Sequence, residues 1–216
     1  MARRKLVPSL ILGLLLVASA GLSAAVDPAW TRPFPPFRIA GNLYYVVIYT
    51  MWLKRITPLN IVIGGAAGAL PPVIGWAAAA NSLSAGPIAM FLIIFLWTPP
   101  HFWALALCRS ADYERVSVPM LPNVAGPAAT CRQILVYSVL LVAASFGPLV
   151  IAGVGLFYGL ITAACDAGFL WRAFTLYRLR GGEEAPRRKA AMALFGFSII
   201  YLFVLFAAML AQVNLR

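Results

Sequence analysis

Apolar runs of about twenty residues recur along this chain, and a run of that length decides which solvent its backbone can meet. About seven are legible, at roughly 7–26, 38–53, 60–80, 86–108, 133–152, 154–176 and 191–212. Inside hydrocarbon every backbone N–H and C=O must be paired within the protein, which leaves helices or a closed barrel. The runs lack the apolar–polar alternation of barrel strands. The expected fold class is therefore all-α, a polytopic transmembrane helical bundle. The second run is short and bounded by Asn42, and the sixth contains Asp166. A carboxylate left alone there costs about 2.5–3.5 kcal/mol on insertion scales, so Asp166 is expected to be protonated, snorkelling or paired. The composition agrees with a membrane protein: 62% of residues are hydrophobic and 11% charged.

A net charge of +11 raises the question of nucleic acid. Its placement answers it. With the N-terminus inside, all 17 lysines and arginines except Arg32, Arg38 and Arg216 fall on cytoplasmic segments. That bias is the positive-inside pattern, giving N-in, C-out, with the lipid bilayer and not nucleic acid as the partner of the charge. Cys108, Cys131 and Cys165 show no C-x-x-C spacing and are read as packing residues. Asp27 to Pro36 is an external loop rich in proline, and Gly181 to Pro186 a cytoplasmic turn. Gly64, Gly65, Gly68, Gly75, Gly153 and Gly155 are small enough to let membrane helices approach closely. No domain boundary or internal repeat interrupts the chain, so residues 1–216 read as one membrane-embedded domain.

Two stretches carry polar groups at membrane ends. Trp97 to Pro122 holds the only histidine, His101, directly after Pro99-Pro100, and then Asp112-Tyr113-Glu114-Arg115. Tyr49 to Trp76 holds Lys54-Arg55, Thr57-Pro58 and Asn60. The charge-derived topology puts both polar loops on the cytoplasmic side. Together these stretches, with Thr98-Pro99-Pro100-His101-Phe102-Trp103 and Pro119-Met120-Leu121-Pro122 in them, resemble protoheme IX farnesyltransferases (haem O synthases). These are a branch of the UbiA-type intramembrane prenyltransferases. The resemblance continues to Ala193–Phe206.

The resemblance implies transfer of a farnesyl group from farnesyl diphosphate to a vinyl group of haem B. Such an enzyme lies in the bacterial inner membrane, uses Mg²⁺ with the diphosphate, and feeds the haem A pathway, whose next enzyme is a possible contact. Lys54 and Arg55 read on spacing alone as a topogenic stop signal, with Asn60 as a helix N-cap. In the family context the two cations hold the leaving diphosphate, where charge develops, and Asn60 lies in the same substrate-binding loop. Leu59 stands where the family commonly has glutamine. Asp112 is either a solvated helix terminus or the Mg²⁺ ligand. Arg115 then offers a fork to phosphate oxygens, with Tyr113 beside it, and Glu114 ranks below Asp112. Pro99 and Pro100 remove helix N–H groups, so a kink is expected before His101. His101 is open to three readings: hydrogen-bonded glue between helices, an axial ligand to haem iron, or a base for the water that ends the reaction. Trp97, Trp103, Phe102 and Trp76 are candidate linings of a porphyrin or isoprenoid cavity, or ordinary packing.

The superfamily's first acidic motif, Asn-x-x-x-Asp-x-x-x-Asp, does not occur in this sequence. The chain aligns from what is the family's third helix, so about seven of nine helices are expected and the domain is N-terminally incomplete. Arg3-Arg4-Lys5 and the apolar run after it share the outline of a signal peptide. The resemblance places a retained core helix there. Two rivals remain: a non-catalytic haem- or isoprenoid-binding membrane protein, and a UbiA-type enzyme with another acceptor.

Overall fold

Proline placement divides the described part of the chain into its helices. The computed structural model describes residues 60–80, 82–115, 119–151 and 153–214. The runs expected at 7–26 and 38–53, together with Lys54 and Arg55, lie outside the described residues. The run expected at 60–80 is two helices, α1 (Asn60–Ala69) and α2 (Pro71–Ala80). Pro71 has no N–H and disfavours helical geometry at Leu70, and Pro72 follows it, so the chain restarts there.

The same dipeptide does not break the next helix. α3 runs unbroken from Ala85 to Cys108 through Pro99 and Pro100. The prolines leave the Phe95 and Leu96 carbonyls without their i+4 donors, which membrane helices tolerate when neighbours compensate. Thr98, just before them, donates its hydroxyl to the Ile94 carbonyl at 2.7 Å. After α3 come two short helices, α4 (Ser110–Arg115) and α5 (Leu121–Val124). The long helix α6 spans Gly126–Ser145 and is followed by a single turn, α7 (Gly147–Ile151). α6 begins about two turns before the apolar run does. Gly126 supplies a positive φ of 83° that only glycine adopts cheaply, and Pro127 opens the helix. α8 (Leu156–Arg178) and α9 (Glu184–Asn214) complete the chain order. Among the described residues there is no strand.

The result is a helical bundle, as the apolar runs predict. α3, α6 continued into α7, and α9 are long and apolar enough to cross a bilayer. α8 matches them in length at 23 residues but carries Asp166 and Arg172. The chain is a multi-pass membrane protein. α9 has 31 residues, about 46 Å of helix at 1.5 Å per residue, so its charged first turns extend past a hydrocarbon core of about 30 Å.

α3 is the hub, packing against α1, α2, α6, α7 and α9, while α8 bridges α6 and α9. Ile93, Trp103, Ile134, Phe169 and Leu205 are fully buried between these helices, whereas Phe203, Leu210 and Trp171 point outward. Outward apolar side chains suit a lipid solvent. Close approach depends on particular glycines. A Cβ on Gly65 would lie 2.9 Å from Thr98 Cγ2, which shows how tightly α1 sits on α3, whereas one on Gly68 or Gly75 would meet nothing within 4 Å.

Asp166 is the paired carboxylate among the expected alternatives. Its Oδ1 accepts the Tyr201 hydroxyl at 2.7 Å and its Oδ2 accepts Ser145 Oγ at 2.8 Å. Tyr158 donates to the Ser145 carbonyl at 2.8 Å. All four residues are buried. One carboxyl thus ties α8 to α6 and α9, which is how a polar group survives at this depth.

Candidate functional site

The register between α1 and α3 sets which polar residues can meet. Gly65 opposes Thr98 late in α3, whereas Trp76, further along the chain on α2, lines a cleft with Ala85, Gly86 and Met90 at the start of α3. The chain from α1 to α2 therefore runs antiparallel to α3. Asn60, the first residue of α1, is thus on the side of the bundle toward which α3 runs before it gives way to α4.

The α8–α9 turn reaches the same end. Cys108, the last residue of α3, donates its thiol to the Arg188 carbonyl at 3.5 Å. A polar cleft of about 260 Å³ is lined there by Ser110, Glu114, Asn123, Glu184 and Arg187. Asn123 Nδ2 donates to the Ser110 carbonyl at 3.0 Å, closing the loop on itself. Met120, Leu121 and Pro122 are buried, so the Pro119-Met120-Leu121-Pro122 string anchors the loop in the core. Arg187 donates to the Gly182 carbonyl at 2.9 Å and so braces the turn.

Asp112 and Arg115 stand one turn apart on α4 and face solvent. Their side chains form a 3.8 Å ion pair at 63% and 80% exposure respectively. Such an exposed pair contributes little to stability and leaves both groups available to a ligand. Tyr113 is half buried against the core. Glu114 lines the polar cleft, so α4 directs its two acids to different surroundings. Among the described residues no cluster of three or more acids, histidines or cysteines can hold a metal by itself.

His101 lies seven residues before the end of α3, about 10 Å deeper along the helix axis. Its ring is enclosed between Trp97, stacked at 4.2 Å, and Phe195 of α9, stacked at 4.6 Å, with Phe102 edge-on at 5.1 Å. Nδ1 lies 2.6 Å from Ser198 Oγ. Trp97 Nε1 donates to the Ser198 carbonyl at 2.8 Å. His101 therefore does join two helices, through one edge of its ring.

The aromatic candidates separate. Trp97 and Phe102 line the apolar cleft of about 230 Å³ between α1 and α3. Trp103 is 1% exposed and meets Tyr137 edge to face at 5.4 Å, in the core instead of on a cleft. Trp76 lines a different cleft, with Ser84, Pro148 and Gln212. Sequence reasoning passed over Phe195 and Ser198. The signal available was a hydroxyl in an otherwise apolar span, a polar group that needs a partner there.

Comparison with known proteins follows the same lines. The family model described as the UbiA prenyltransferase family matches residues 3–199. A protoheme IX farnesyltransferase from Afipia carboxidovorans is 61% identical over 91% of this chain and 64% of its own length. Protoheme IX farnesyltransferase 1 from Mesorhizobium japonicum is 50% identical over 93% of this chain and 62% of its own. One from Methylobacterium nodulans is 49% identical over 96% of this chain and 64% of its own. The chain thus spans a little under two thirds of the length of these curated relatives. No solved structure matches it.

Proposed function

We propose, since this chain belongs to the UbiA prenyltransferase family, that it carries the farnesyl-transfer site of a haem O synthase. Farnesyl diphosphate is the donor and haem B the acceptor; haem O and diphosphate are the products. The arrangement that carries this reading is the polar end of the bundle. Asp112 and Arg115 stand there on α4, α1 begins at Asn60 toward the same end, and the apolar cleft and His101 lie deeper in the bundle. The names of the relatives support the acceptor.

In the reaction the allylic carbon–oxygen bond breaks and its electron pair leaves on diphosphate. The haem vinyl carbon forms the new carbon–carbon bond, and water adds at the adjacent carbon, releasing one proton. Lys54, Arg55 and Arg115 bind the diphosphate, with Asn60 and Tyr113 beside them. Asp112 would be this chain's carboxylate on a Mg²⁺ ion, which commonly takes only one or two from the protein. That ion, when bound, would neutralise charge on the leaving group. The exposed Asp112–Arg115 pair is suited to this: the guanidinium would turn to diphosphate, leaving the Asp112 carboxylate to hold the cation. Trp97 belongs to the acceptor region, on the wall of the cleft. His101 serves haem or water.

Residues 1–216 lie within one membrane-embedded domain of a bacterial inner membrane, with Arg3 to Lys5 and both polar loops cytoplasmic. Its product passes to the haem A pathway. The test is to supply membranes containing this chain with haem B, farnesyl diphosphate and Mg²⁺, then to separate extracted pigments with mass detection. A haem O peak that disappears in Asp112→Ala is the expected result. Prenylation of 4-hydroxybenzoate instead of haem would overturn the acceptor assignment, and no prenylation of either would overturn the enzyme reading.

A further inference from the structure

Ser198 makes three short contacts that a single hydroxyl and carbonyl must satisfy together. Its Oγ donates to the Phe195 carbonyl at 2.6 Å and lies 2.6 Å from His101 Nδ1. Its own carbonyl accepts Trp97 Nε1 at 2.8 Å. A serine hydroxyl has one proton and two lone pairs. If that proton pointed at His101, the hydroxyl oxygen and the Phe195 carbonyl would face each other at 2.6 Å with no hydrogen between them. Only one arrangement puts a hydrogen in both contacts: Ser198 donates to Phe195, and the imidazole donates from Nδ1 to Ser198.

We propose that Ser198 is a positioning residue that holds His101 as its Nδ1–H tautomer and leaves Nε2 as the free lone pair of the ring. The surroundings make this arrangement firm. Trp97 and Phe195 cover the two ring faces, and Ser198 fixes both Trp97 and the ring edge, so the imidazole has little freedom to turn. The ring makes no other hydrogen bond among the described residues. Which nitrogen carries the proton on a histidine is set by the bond its other nitrogen makes, and here that bond is made by a buried hydroxyl on another helix. Accepting a proton from water or coordinating iron both need an unprotonated nitrogen. That use of the lone pair rests on the haem-acceptor reading, but the tautomer does not.

The chain has one histidine, so ¹⁵N-histidine labelling reports this ring alone. The full chain in lipid nanodiscs, without substrate and at a mildly alkaline pH, should show a proton on Nδ1 and an unprotonated Nε2 resonance. Ser198→Ala should shift the population toward Nε2–H, and Ser198→Thr, which keeps the hydroxyl, should restore Nδ1–H. A wild-type ring protonated at Nε2 overturns the proposal without any variant being needed, and so does a tautomer unchanged in Ser198→Ala. Neither result depends on turnover, so failure here is distinct from failure to form haem O.

Discussion

The carboxyl at the centre of the α6–α8–α9 contact is the most exacting place to test this structure. The perturbations are Tyr201→Phe, Asp166→Ala and the two combined. Tyr201→Phe removes one interhelical O–H···O contact of 2.7 Å and almost no volume. Interhelical hydrogen bonds in membranes are worth about 0.6 kcal/mol on average and at most about 1.7 kcal/mol. Asp166→Ala removes that bond and the one from Ser145, and it strands the hydroxyl of Tyr201, a fully buried side chain. A stranded buried donor costs about 1–3 kcal/mol, so the single change should cost roughly 2–5 kcal/mol in all. In the double variant phenylalanine has no hydroxyl to strand, so the cost should fall short of the sum by about 1 kcal/mol or more. That coupling is about a fivefold difference in the unfolding equilibrium. The assay is reversible unfolding in mixed micelles followed by tryptophan fluorescence. Additive costs would refute the reasoning, because they would mean that Tyr201 and Asp166 do not share a bond.

Other consequences follow from contacts at α1 and α3. Gly65→Ala should lower the melting temperature by the equivalent of about 1–3 kcal/mol, since the new Cβ would meet Thr98 at 2.9 Å, while Gly68→Ala should be neutral. Thermal melting of both in the same detergent checks the pair. Trp97→Phe should cost about 0.5–1.5 kcal/mol for the lost bond to Ser198, visible in the same melt. Trp103 Nε1 is buried with no partner, so Trp103→Phe should lose packing but no hydrogen bond. Asp112→Ala should leave the melting temperature unchanged, because the side chain is 63% exposed, while abolishing haem O formation in the pigment assay.

Different parts of this molecule were legible in the sequence to different degrees, and the reasons are physical. The length of an apolar run is a statement about solvent, so helices and bundle could be read directly. Proline effects were harder to read. Pro71-Pro72 and Pro99-Pro100 look alike in sequence, yet one pair opens a new helix and the other sits inside an unbroken one. The difference lies in the surroundings. α3 packs on α1, α2, α6, α7 and α9, and Pro99 and Pro100 are buried, whereas Pro71 is exposed. Helix faces are tertiary facts as well. Trp97, Phe102 and Trp103 stand close together in sequence, but the turn of the helix sends Trp103 into the core and leaves the other two on a cleft.

The partners of isolated polar groups were the least legible feature, although the need for them was plain. Asp166 and His101 each announce that something must pair with them in an apolar span, without saying what. The answers are hydroxyls: Ser145 and Tyr201 for the acid, Ser198 for the imidazole. A hydroxyl costs little to insert in a membrane helix, so it leaves almost no mark on hydropathy. It can nevertheless decide the geometry of a titratable group, because in hydrocarbon no water competes for the bond. α9 supplies a hydroxyl to both groups, Ser198 to α3 and Tyr201 to α8, three residues apart on a single helix. Displacing α9 would therefore disturb the packing acid and the histidine together. A Tyr201→Phe variant whose His101 nitrogen resonances also move would show that the two are coupled through α9, and unmoved resonances would show that each is held locally.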